Sequence, residues 1–284
     1  MPDIGYLGGK FALLHDIAIS PDDRGFLFGD GVYEVVRGYR GVPVFWKEHF
    51  IRFSRSAKEI HLPFSLSEEH FHELLLTGIQ QSQYQESKVY IQMTRGVAPR
   101  DHAFPVVVEP TLFMSVREMP PLADEYSNHG VTAITVPDIR WSRCDIKSLN
   151  LLPNVLAKQQ AQEAKAFEAI FFKGEEMKEG STSNVFLVKQ GKLYTPERNQ
   201  DVLAGVTQQQ VINLSEEQGR QVTCQPLFLN DLLQADEAFL VGTTIEVLPL
   251  VKVDGKVIAS GKPGPVTQDI QKRFSSLVAQ ICSG

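Results

Sequence analysis

The chain has 284 residues, of which 43% are hydrophobic and 22% are charged, a composition typical of folded globular domains. Its net charge of −6 argues against a surface for nucleic acids or anionic membranes, although a local basic pocket for a small anion needs only one or two cations. No apolar run approaches the roughly 20 residues of a membrane span, and the first residues lack the features of a signal peptide.

Turn residues and hydrophobic periodicity predict mixed α and β structure in the first half of the chain. A Gly-Gly turn at residues 8–9 separates two apolar runs and predicts a hairpin. The spacing of apolar residues predicts a helix over 47–60, and a capping box formed by Ser65 and Glu68 predicts a second helix over 68–81. The predicted strands are 4–7, 11–14, 26–28, 32–36, 89–95 and 111–116.

Pro120 and Pro121 interrupt the pattern, because proline pairs end both helices and strands. We therefore expect a small N-terminal α+β domain of residues 1–119 and a larger C-terminal domain of residues 120–284. The predicted strands of the second half are 131–136, 169–172, 184–189, 192–195, 238–241 and 247–253. The predicted helices are 154–166, 206–218 and 265–281.

The three cysteines are Cys144, Cys224 and Cys282. Their odd number and wide spacing indicate neither a disulfide framework nor a paired zinc motif, so no metal site is expected. This cysteine usage favours a reducing cytoplasm.

Several short segments carry residue types that bind or attack small polar ligands. Lys147 lies just before a predicted helix; a nucleophilic lysine must lose its proton near neutral pH, and a plain surface lysine is the common alternative. Glu179 can hold a positively charged heterocycle nitrogen or lie in a solvated turn. Val206 and Thr207 begin a helix, whose free N–H groups favour a phosphate, although most such helix starts bind only water.

Three further segments have the same ambiguity. Thr243 follows a strand and can supply donors or simply form a turn. Arg100 and His102 lie in a loop bounded by prolines, where an arginine can bind a carboxylate through two parallel hydrogen bonds or remain solvated. Arg52 lies on the helix over 47–60, where its alternative is to extend along the apolar face.

Five stretches, in order along nearly the whole chain, resemble one family. They are residues 24–35 (RGFLFGDGVYEV), 94–102 (TRGVAPRDH), 138–150 (DIRWSRCDIKSLN), 179–186 (EGSTSNVF) and 203–207 (LAGVT). The chain thereby resembles the fold-type IV pyridoxal 5'-phosphate (PLP) enzymes, and within them the D-amino-acid aminotransferases. One departure is Gln208, where the family pattern has Lys or Arg. Little effect on the chemistry is expected, because that position lies past the phosphate contacts.

The resemblance implies an α+β, two-domain fold-type IV architecture, with Lys147 and most cofactor contacts in the C-terminal domain. It implies that Lys147 forms a Schiff base with PLP and, once freed, carries the proton between the substrate Cα and the cofactor C4′. Glu179 is expected to pair with the pyridine nitrogen, supported by Arg140, and Leu203 to pack against the ring. The residues expected to hold the phosphate are Arg52, Val206, Thr207 and Thr243.

The resemblance also implies the reaction and its partners. The expected reaction is transamination between a D-amino acid, such as D-alanine, and a 2-oxo acid, such as 2-oxoglutarate. Tyr33, Arg100 and His102 stand where the family binds the substrate carboxylate. In that family the arginine and histidine come from the neighbouring subunit, so a homodimer with a shared active site is expected.

Other functions on the same fold stay open at the sequence level. The first alternative is a transaminase of different scope, for L-branched-chain amino acids or for primary amines of R configuration. The others are a PLP-dependent lyase and a PLP-binding protein without catalysis. Arg100 and His102 argue against the first two, and retention of Lys147 and Glu179 argues against the last.

Overall fold

A computed structural model describes residues 1–107 and 109–283. The chain divides into two compact units. The first comprises Met1–Pro121, Ile146–Asn150 and Ile281–Gly284, and the second comprises Leu122–Asp145 and Leu151–Gln280. No helix in these described residues has the length and apolar character required to cross a bilayer.

The first unit combines an antiparallel sheet with helices, as the sequence predicted. Its helices are α1 (Arg24–Phe28), α2 (Trp46–Glu59) and α3 (Glu68–Ser82). Its strands are β1 (Ile4–Leu7), β2 (Lys10–Leu13), β3 (Gly31–Tyr39), β4 (Val42–Pro43), β5 (Glu86–Thr94) and β6 (Thr111–Glu118). The strand order is β2-β1-β6-β5-β3-β4, and all of these pairs are antiparallel.

The core of the first unit lies where α2 and α3 pack on this sheet. Phe53 and Ala57 of α2 are buried there with Phe71 and Leu75 of α3. The members of each pair are four residues apart and therefore lie on one face of their helix, which confirms the periodicity used to predict α2.

Two local predictions in this unit are wrong. Residues 26–28 were expected as a strand but belong to α1, because Asp23 accepts a hydrogen bond from the Gly25 N–H at the helix start. Gly29, with a φ of +66°, then ends that helix in the left-handed region. The N-cap of α3 is Ser67 rather than Ser65, since the Ser67 hydroxyl accepts from the His70 N–H.

The segment Ile146–Asn150 packs with the first unit although it lies far along the chain. The Tyr33 N–H donates to the Lys147 carbonyl over 3.0 Å, and the Leu149 N–H donates to the Gly31 carbonyl over 3.0 Å. These bonds line the segment along β3, whose other edge pairs with β5. Lys147 therefore belongs to the compact unit formed mainly by the N-terminal half, whereas we expected it in the domain of residues 120–284. The division of the chain between residues 119 and 120 stays a prediction.

The second unit is also built from helices and one sheet. Its helices are α4 (Asp124–His129), α5 (Leu152–Glu163), α6 (Val206–Glu216), α7 (Leu229–Leu233) and α8 (Pro265–Ile281), whose last residue groups with the first unit. Its strands are β7 (Val131–Pro137), β8 (Glu168–Lys173), β9 (Glu176–Gly180), β10 (Asn184–Lys189), β11 (Lys192–Thr195), β12 (Val222–Cys224), β13 (Leu227–Phe228), β14 (Glu237–Gly242), β15 (Glu246–Val253) and β16 (Lys256–Val257).

The sheet of the second unit is mixed. Its order is β12-β11-β10-β14-β15-β7-β8-β9-β13, and β16 pairs with β15. The pairs β15–β7, β7–β8 and β11–β12 are parallel. The strands predicted over 184–189 and 192–195 are present as β10 and β11, which pair as a hairpin, and the predicted final helix is confirmed. The mixture of helix and sheet confirms the α+β class. The strand β9 was not predicted, because its sequence, Glu-Met-Lys-Glu-Gly, is too polar to resemble a buried strand.

Candidate active site

Lys147 is half-buried and fixed through its backbone. Its N–H donates to the Ser56 hydroxyl of α2 over 3.2 Å, and its carbonyl accepts from Tyr33 of β3. Its Nζ lies 4.3 Å from the centre of the Tyr33 ring, a distance at which an ammonium is attracted to the ring face. The structure therefore brings the predicted catalytic lysine and the predicted substrate-binding tyrosine together.

Arg52 takes part in a buried cluster with Glu34 and His49. Its Nε and Nη2 donate to the two carboxylate oxygens of Glu34 over 2.7 and 2.8 Å, a paired geometry that fixes the guanidinium plane. Nδ1 of His49 lies 2.7 Å from Glu34 Oε2. Glu34 is fully buried and Arg52 is 8% exposed, so the predicted phosphate-binding arginine is held rigidly.

The cluster sets the charges of its members. Burial alone raises the pKa of Glu34, but the charge and hydrogen bonds of Arg52 and His49 outweigh it and lower the pKa to about 2. Burial lowers the pKa of His49; Glu34 opposes this effect, and the charges of Arg52 and Lys147 reinforce it. At neutral pH, Glu34 is therefore ionised and His49 is neutral, and a neutral His49 donates its Nδ1–H to the carboxylate.

Sequence reasoning missed Glu34 and His49 as site residues. A signal for Glu34 was present, because it alternates with Val32 and Val36 on the buried face of β3. A carboxylate at a core position requires a partner. The partner could not be identified from spacing alone.

Tyr33 also contacts Tyr90 on the neighbouring strand β5. The two rings stack with centres 5.5 Å apart, and the Tyr90 hydroxyl donates to Gln92 Oε1 over 2.7 Å. Burial, followed by the nearby Tyr33, raises the pKa of Tyr90. Tyr90 therefore stays protonated at neutral pH, as its role as a hydrogen-bond donor requires.

Arg100 and His102 are exposed and contact α1 instead. The guanidinium carbon of Arg100 lies 5.2 Å from the centre of the Phe28 ring, and the His102 ring lies 5.2 Å from the same ring. Within one chain, Tyr33 thus lies beside Lys147 and Tyr90. The other two residues predicted to bind the substrate carboxylate, Arg100 and His102, lie beside Phe28.

In the second unit, Glu179 and Arg140 form a buried ion pair. Arg140 Nη1 donates to Glu179 Oε1 over 2.5 Å, while its Nε and Nη2 donate to Asp138 over 2.9 and 2.8 Å. The side chains of Arg140 and Glu179 are 5% and 7% exposed. Burial lowers the pKa of Arg140, but Asp138 and Glu179 outweigh it and raise the pKa. Arg140 and Glu179 are thus in direct contact, and the role of this contact at a cofactor stays a prediction.

Leu203 is tied to Glu179 through its backbone. The Leu203 N–H donates to both carboxylate oxygens over 3.2 and 3.1 Å. Asn184 Nδ2 donates to Glu179 Oε2 and to the Leu203 carbonyl over 3.2 and 3.0 Å. These bonds fix the backbone of Leu203 beside the carboxylate, and the Leu203 side chain is half-buried.

Val206 and Thr207 begin α6, as predicted, and both are buried. The N-cap is Gly205, which has no side chain to accept from the first-turn N–H groups. A Cβ at Gly205 would lie 2.0 Å from Asn184 Oδ1, so only glycine allows this close approach. Thr243 is half-buried in the turn after β14, and α6 packs against β14.

Gln208, the departure from the family pattern, binds two residues that precede α6 in the chain. Its side chain is fully buried, donates to the Thr195 hydroxyl and accepts from Arg198 Nε, both over 3.0 Å. These contacts account for an uncharged residue at this position.

A second buried carboxylate, Glu168, was not predicted as a site residue. It is fully buried and accepts from the N–H and hydroxyl groups of Ser181 and Thr182 and from the Ser183 hydroxyl. It thereby organises the turn that follows Glu179. Its partners lie 13–15 residues away, a separation at which no local pattern identifies a contact.

Comparison with known proteins supports one family. A model of the amino-transferase class IV family matches residues 31–253. The chain is 40% identical to a D-alanine aminotransferase of Staphylococcus haemolyticus, covering 96% of this chain and 97% of the relative. It is 41% identical to a D-alanine aminotransferase of Bacillus licheniformis, covering 95% of each.

Solved structures agree with this result. A branched-chain amino acid aminotransferase of Escherichia coli superimposes with a TM-score of 0.91 at 26% identity, covering 98% of this chain and 95% of the other. A branched-chain amino acid aminotransferase of Thermobaculum terrenum in its PLP form shares the fold with a TM-score of 0.83 at 23% identity, covering 98% and 94%. The chain belongs to the amino-transferase class IV family.

Proposed function

We propose that the protein is a PLP-dependent aminotransferase that exchanges the amino group of a D-amino acid, such as D-alanine, with a 2-oxo acid, such as 2-oxoglutarate. The similarity to D-alanine aminotransferases over 96% of the chain carries this proposal. The Arg100-Asp101-His102 loop supports it, because an arginine and a histidine suit recognition of a carboxylate.

The residues present fit PLP, which has a cationic ring nitrogen, an aldehyde and a phosphate. Glu179 is a buried carboxylate held in place by Arg140, Asn184 and the Leu203 N–H, which suits a protonated ring nitrogen. Lys147 offers a half-buried amine for the aldehyde. For the phosphate, the second unit offers the start of α6 with its glycine cap.

When bound, PLP supplies an electron sink that stabilises negative charge at the substrate Cα. Lys147 would hold the cofactor through its Nζ, and the same amine would carry the proton at the substrate Cα. The Tyr33 ring and the backbone bonds to Ser56 and Tyr33 hold this amine in place.

The other cofactor residues act by holding and orienting. Glu179 would keep the ring nitrogen protonated, because an ionised carboxylate favours a neighbouring cation. Leu203 would pack on the ring. Arg52 would bind the phosphate in the orientation that Glu34 gives it. Val206, Thr207 and Thr243 would donate further hydrogen bonds to the phosphate.

The proposal includes a homodimer with a shared active site, in which Arg100 and His102 serve the neighbouring subunit. Large apolar side chains support an interface on α1 and the adjoining loop. Phe26 is 75% exposed, Phe104 is 55% exposed and Val106 is fully exposed. Such surface is usually covered by a partner. In this dimer, the Arg100 and His102 that act together with Tyr33 on the substrate carboxylate would come from the neighbouring subunit.

We also place the enzyme in the cytoplasm. The three cysteines are free, which suits a reducing compartment.

The experiment that tests the proposal is the absorbance spectrum of the purified protein with PLP, mixed separately with D-alanine, L-leucine and R-1-phenylethylamine. Fast loss of the cofactor band with D-alanine alone is expected. A response to L-leucine or to the amine instead would retain the cofactor chemistry and overturn the substrate. Absence of any cofactor band after addition of PLP would refute the proposal entirely.

Two variants test the proposed roles. Lys147→Ala should abolish turnover, and full activity would contradict the assignment. Arg100→Ala should weaken transition-state binding of D-alanine by about 2–5 kcal/mol, as for loss of one partner of a buried charge pair. The loss is measured as a lower kcat/KM for D-alanine. Arg117→Ala, at an exposed arginine of the same unit, is the matched control and should leave the kinetics unchanged.

A further inference from the structure

Arg24 is a buried cation that the proposed function does not use. It lies at the start of α1 and is 3% exposed. Its Nε donates to Asp30 Oδ2 over 2.8 Å, and Arg95 Nε donates to the same oxygen over 2.8 Å. One carboxylate thus receives two guanidinium groups, and each guanidinium must satisfy its remaining donors elsewhere.

The remaining donors of Arg24 bind the backbone of the loop that contains Arg100 and His102. Nη1 donates to the carbonyls of Asp101 and Ala103 over 2.5 and 3.3 Å, and Nη2 donates to the carbonyl of His102 over 3.4 Å. The side chain therefore contacts three consecutive carbonyls, a pattern that restrains the direction of the chain.

The ring of Phe28 completes this restraint. The guanidinium carbon of Arg24 lies 4.9 Å from the ring centre, and the guanidinium carbon of Arg100 and the His102 ring each lie 5.2 Å from it. One aromatic ring on α1 thus contacts both the anchoring arginine and the two side chains that the loop presents.

Other contacts hold the two ends of the loop. The Arg24 N–H donates to the Gly96 carbonyl over 2.9 Å, and the Ala98 N–H donates to the Asp22 carbonyl over 3.2 Å. Near the other end, the guanidinium carbon of Arg95 lies 3.6 Å from the centre of the Phe104 ring. The Arg24 side chain therefore acts on the middle of the loop.

We propose that Arg24 is a positioning residue that orients Arg100 and His102 by holding the backbone of residues 101–103, and that it thereby contributes to selection of substrates with an α-carboxylate. This inference rests on the proposed function, because it assumes that Arg100 and His102 bind that carboxylate. Arg24 itself is not assigned any contact with substrate or cofactor.

The first measurement is hydrogen–deuterium exchange of the PLP-loaded enzyme. Arg24→Lys keeps the charge but loses the planar fork that reaches three carbonyls. The amides of residues 100–104 should exchange about tenfold faster in this variant, as a local opening. Arg37→Lys is the control, since Arg37 is a buried arginine of the same unit, 4% exposed, that pairs with Glu86. It should leave exchange of the loop unchanged.

The second measurement is a double-mutant cycle with D-alanine. Arg24→Lys should lower kcat/KM by about tenfold to a hundredfold, mainly through KM, since small misplacements of binding groups have effects of this size. In an Arg100→Ala, His102→Ala background, the same change should cost about twofold or less, because the groups it positions are absent. PLP affinity should be the same with and without the Arg24 change.

The outcomes separate the two claims. Unchanged exchange of the loop in Arg24→Lys would overturn the restraint. An undiminished loss in the double-mutant background would show a merely structural role and overturn the inference. Absence of D-alanine turnover in the unmodified enzyme would refute the proposed function and with it the role in selection.

If Arg24→Lys does not fold, Phe28→Leu removes the shared ring and should produce the same effects on exchange and KM in weaker form. Unchanged exchange and KM in Phe28→Leu would overturn the proposal.

Discussion

The buried carboxylate of Glu34 allows a quantitative prediction, because its contacts and burial are defined. Glu34→Gln removes one negative charge and keeps the size of the side chain. The carboxylate is fully buried and accepts two bonds from Arg52 and one from His49. Removing one partner of a buried ion pair costs about 3–5 kcal/mol, since the other charge is left uncompensated.

The pKa leads to a similar magnitude. The pKa of Glu34 is lowered from 4.5 to about 2. At about 1.4 kcal/mol for each pH unit, this difference corresponds to about 3 kcal/mol in favour of the charged carboxylate in the folded state. We therefore expect Glu34→Gln to lower the free energy of unfolding by about 3 kcal/mol, and the Tm by roughly 6–12 °C.

Urea unfolding followed by circular dichroism, together with thermal unfolding, measures this loss. Glu73→Gln is the matched control. It removes a carboxylate of α3 in the same unit that is 75% exposed and 3.5 Å from His70 Nδ1, and it should cost less than about 1 kcal/mol. Equal losses in the two variants would refute the argument that burial and paired hydrogen bonds make Glu34 the stronger contributor.

Three further expectations concern buried charges. Because the folded-state pKa of Glu34 is lowered, its stabilisation is complete above pH 4.5 and is lost as the pH falls toward about 2; acid unfolding of Glu34→Gln should show a shallower pH dependence in this range. Arg140→Met leaves Glu179 and Asp138 buried without their cation and should cost about 3–5 kcal/mol in urea unfolding; a loss below that of an exposed arginine variant would contradict the reasoning. Glu168→Gln turns one hydrogen-bond acceptor into a donor that faces other donors. The free energy of unfolding should therefore fall by about 3 kcal/mol, which thermal unfolding without added PLP measures.

Local sequence patterns determined most of the regular structure. The three- and four-residue spacing of apolar side chains located α2, and the Gly-Gly turn located the hairpin of β1 with β2. Such signals depend on residues close in the chain, so no knowledge of the fold is needed. The motifs around Lys147 and Glu179 also identified the family, which the comparisons confirm.

The cases that failed depended on contacts outside the local window. Residues 26–28 have the apolar character of a strand, but the cap at Asp23 and the turn at Gly29 make them helical. The strand β9 is polar in sequence, and its position depends on pairing with β8 and β13. The hydrogen bonds to these neighbouring strands make the segment a strand, although its polar side chains do not indicate one.

Only the tertiary structure decided how the charged residues are paired. Glu34 meets Arg52 because β3 and α2 pack together, and Glu168 meets Ser181 because β8 lies beside β9. Arg24 reaches the carbonyl of Asp101, 77 residues away. A sequence shows that a buried charge needs a partner, but any of many residues can supply it. The choice is made when folding brings distant segments within hydrogen-bond distance, because only then is the cost of burying the charge offset.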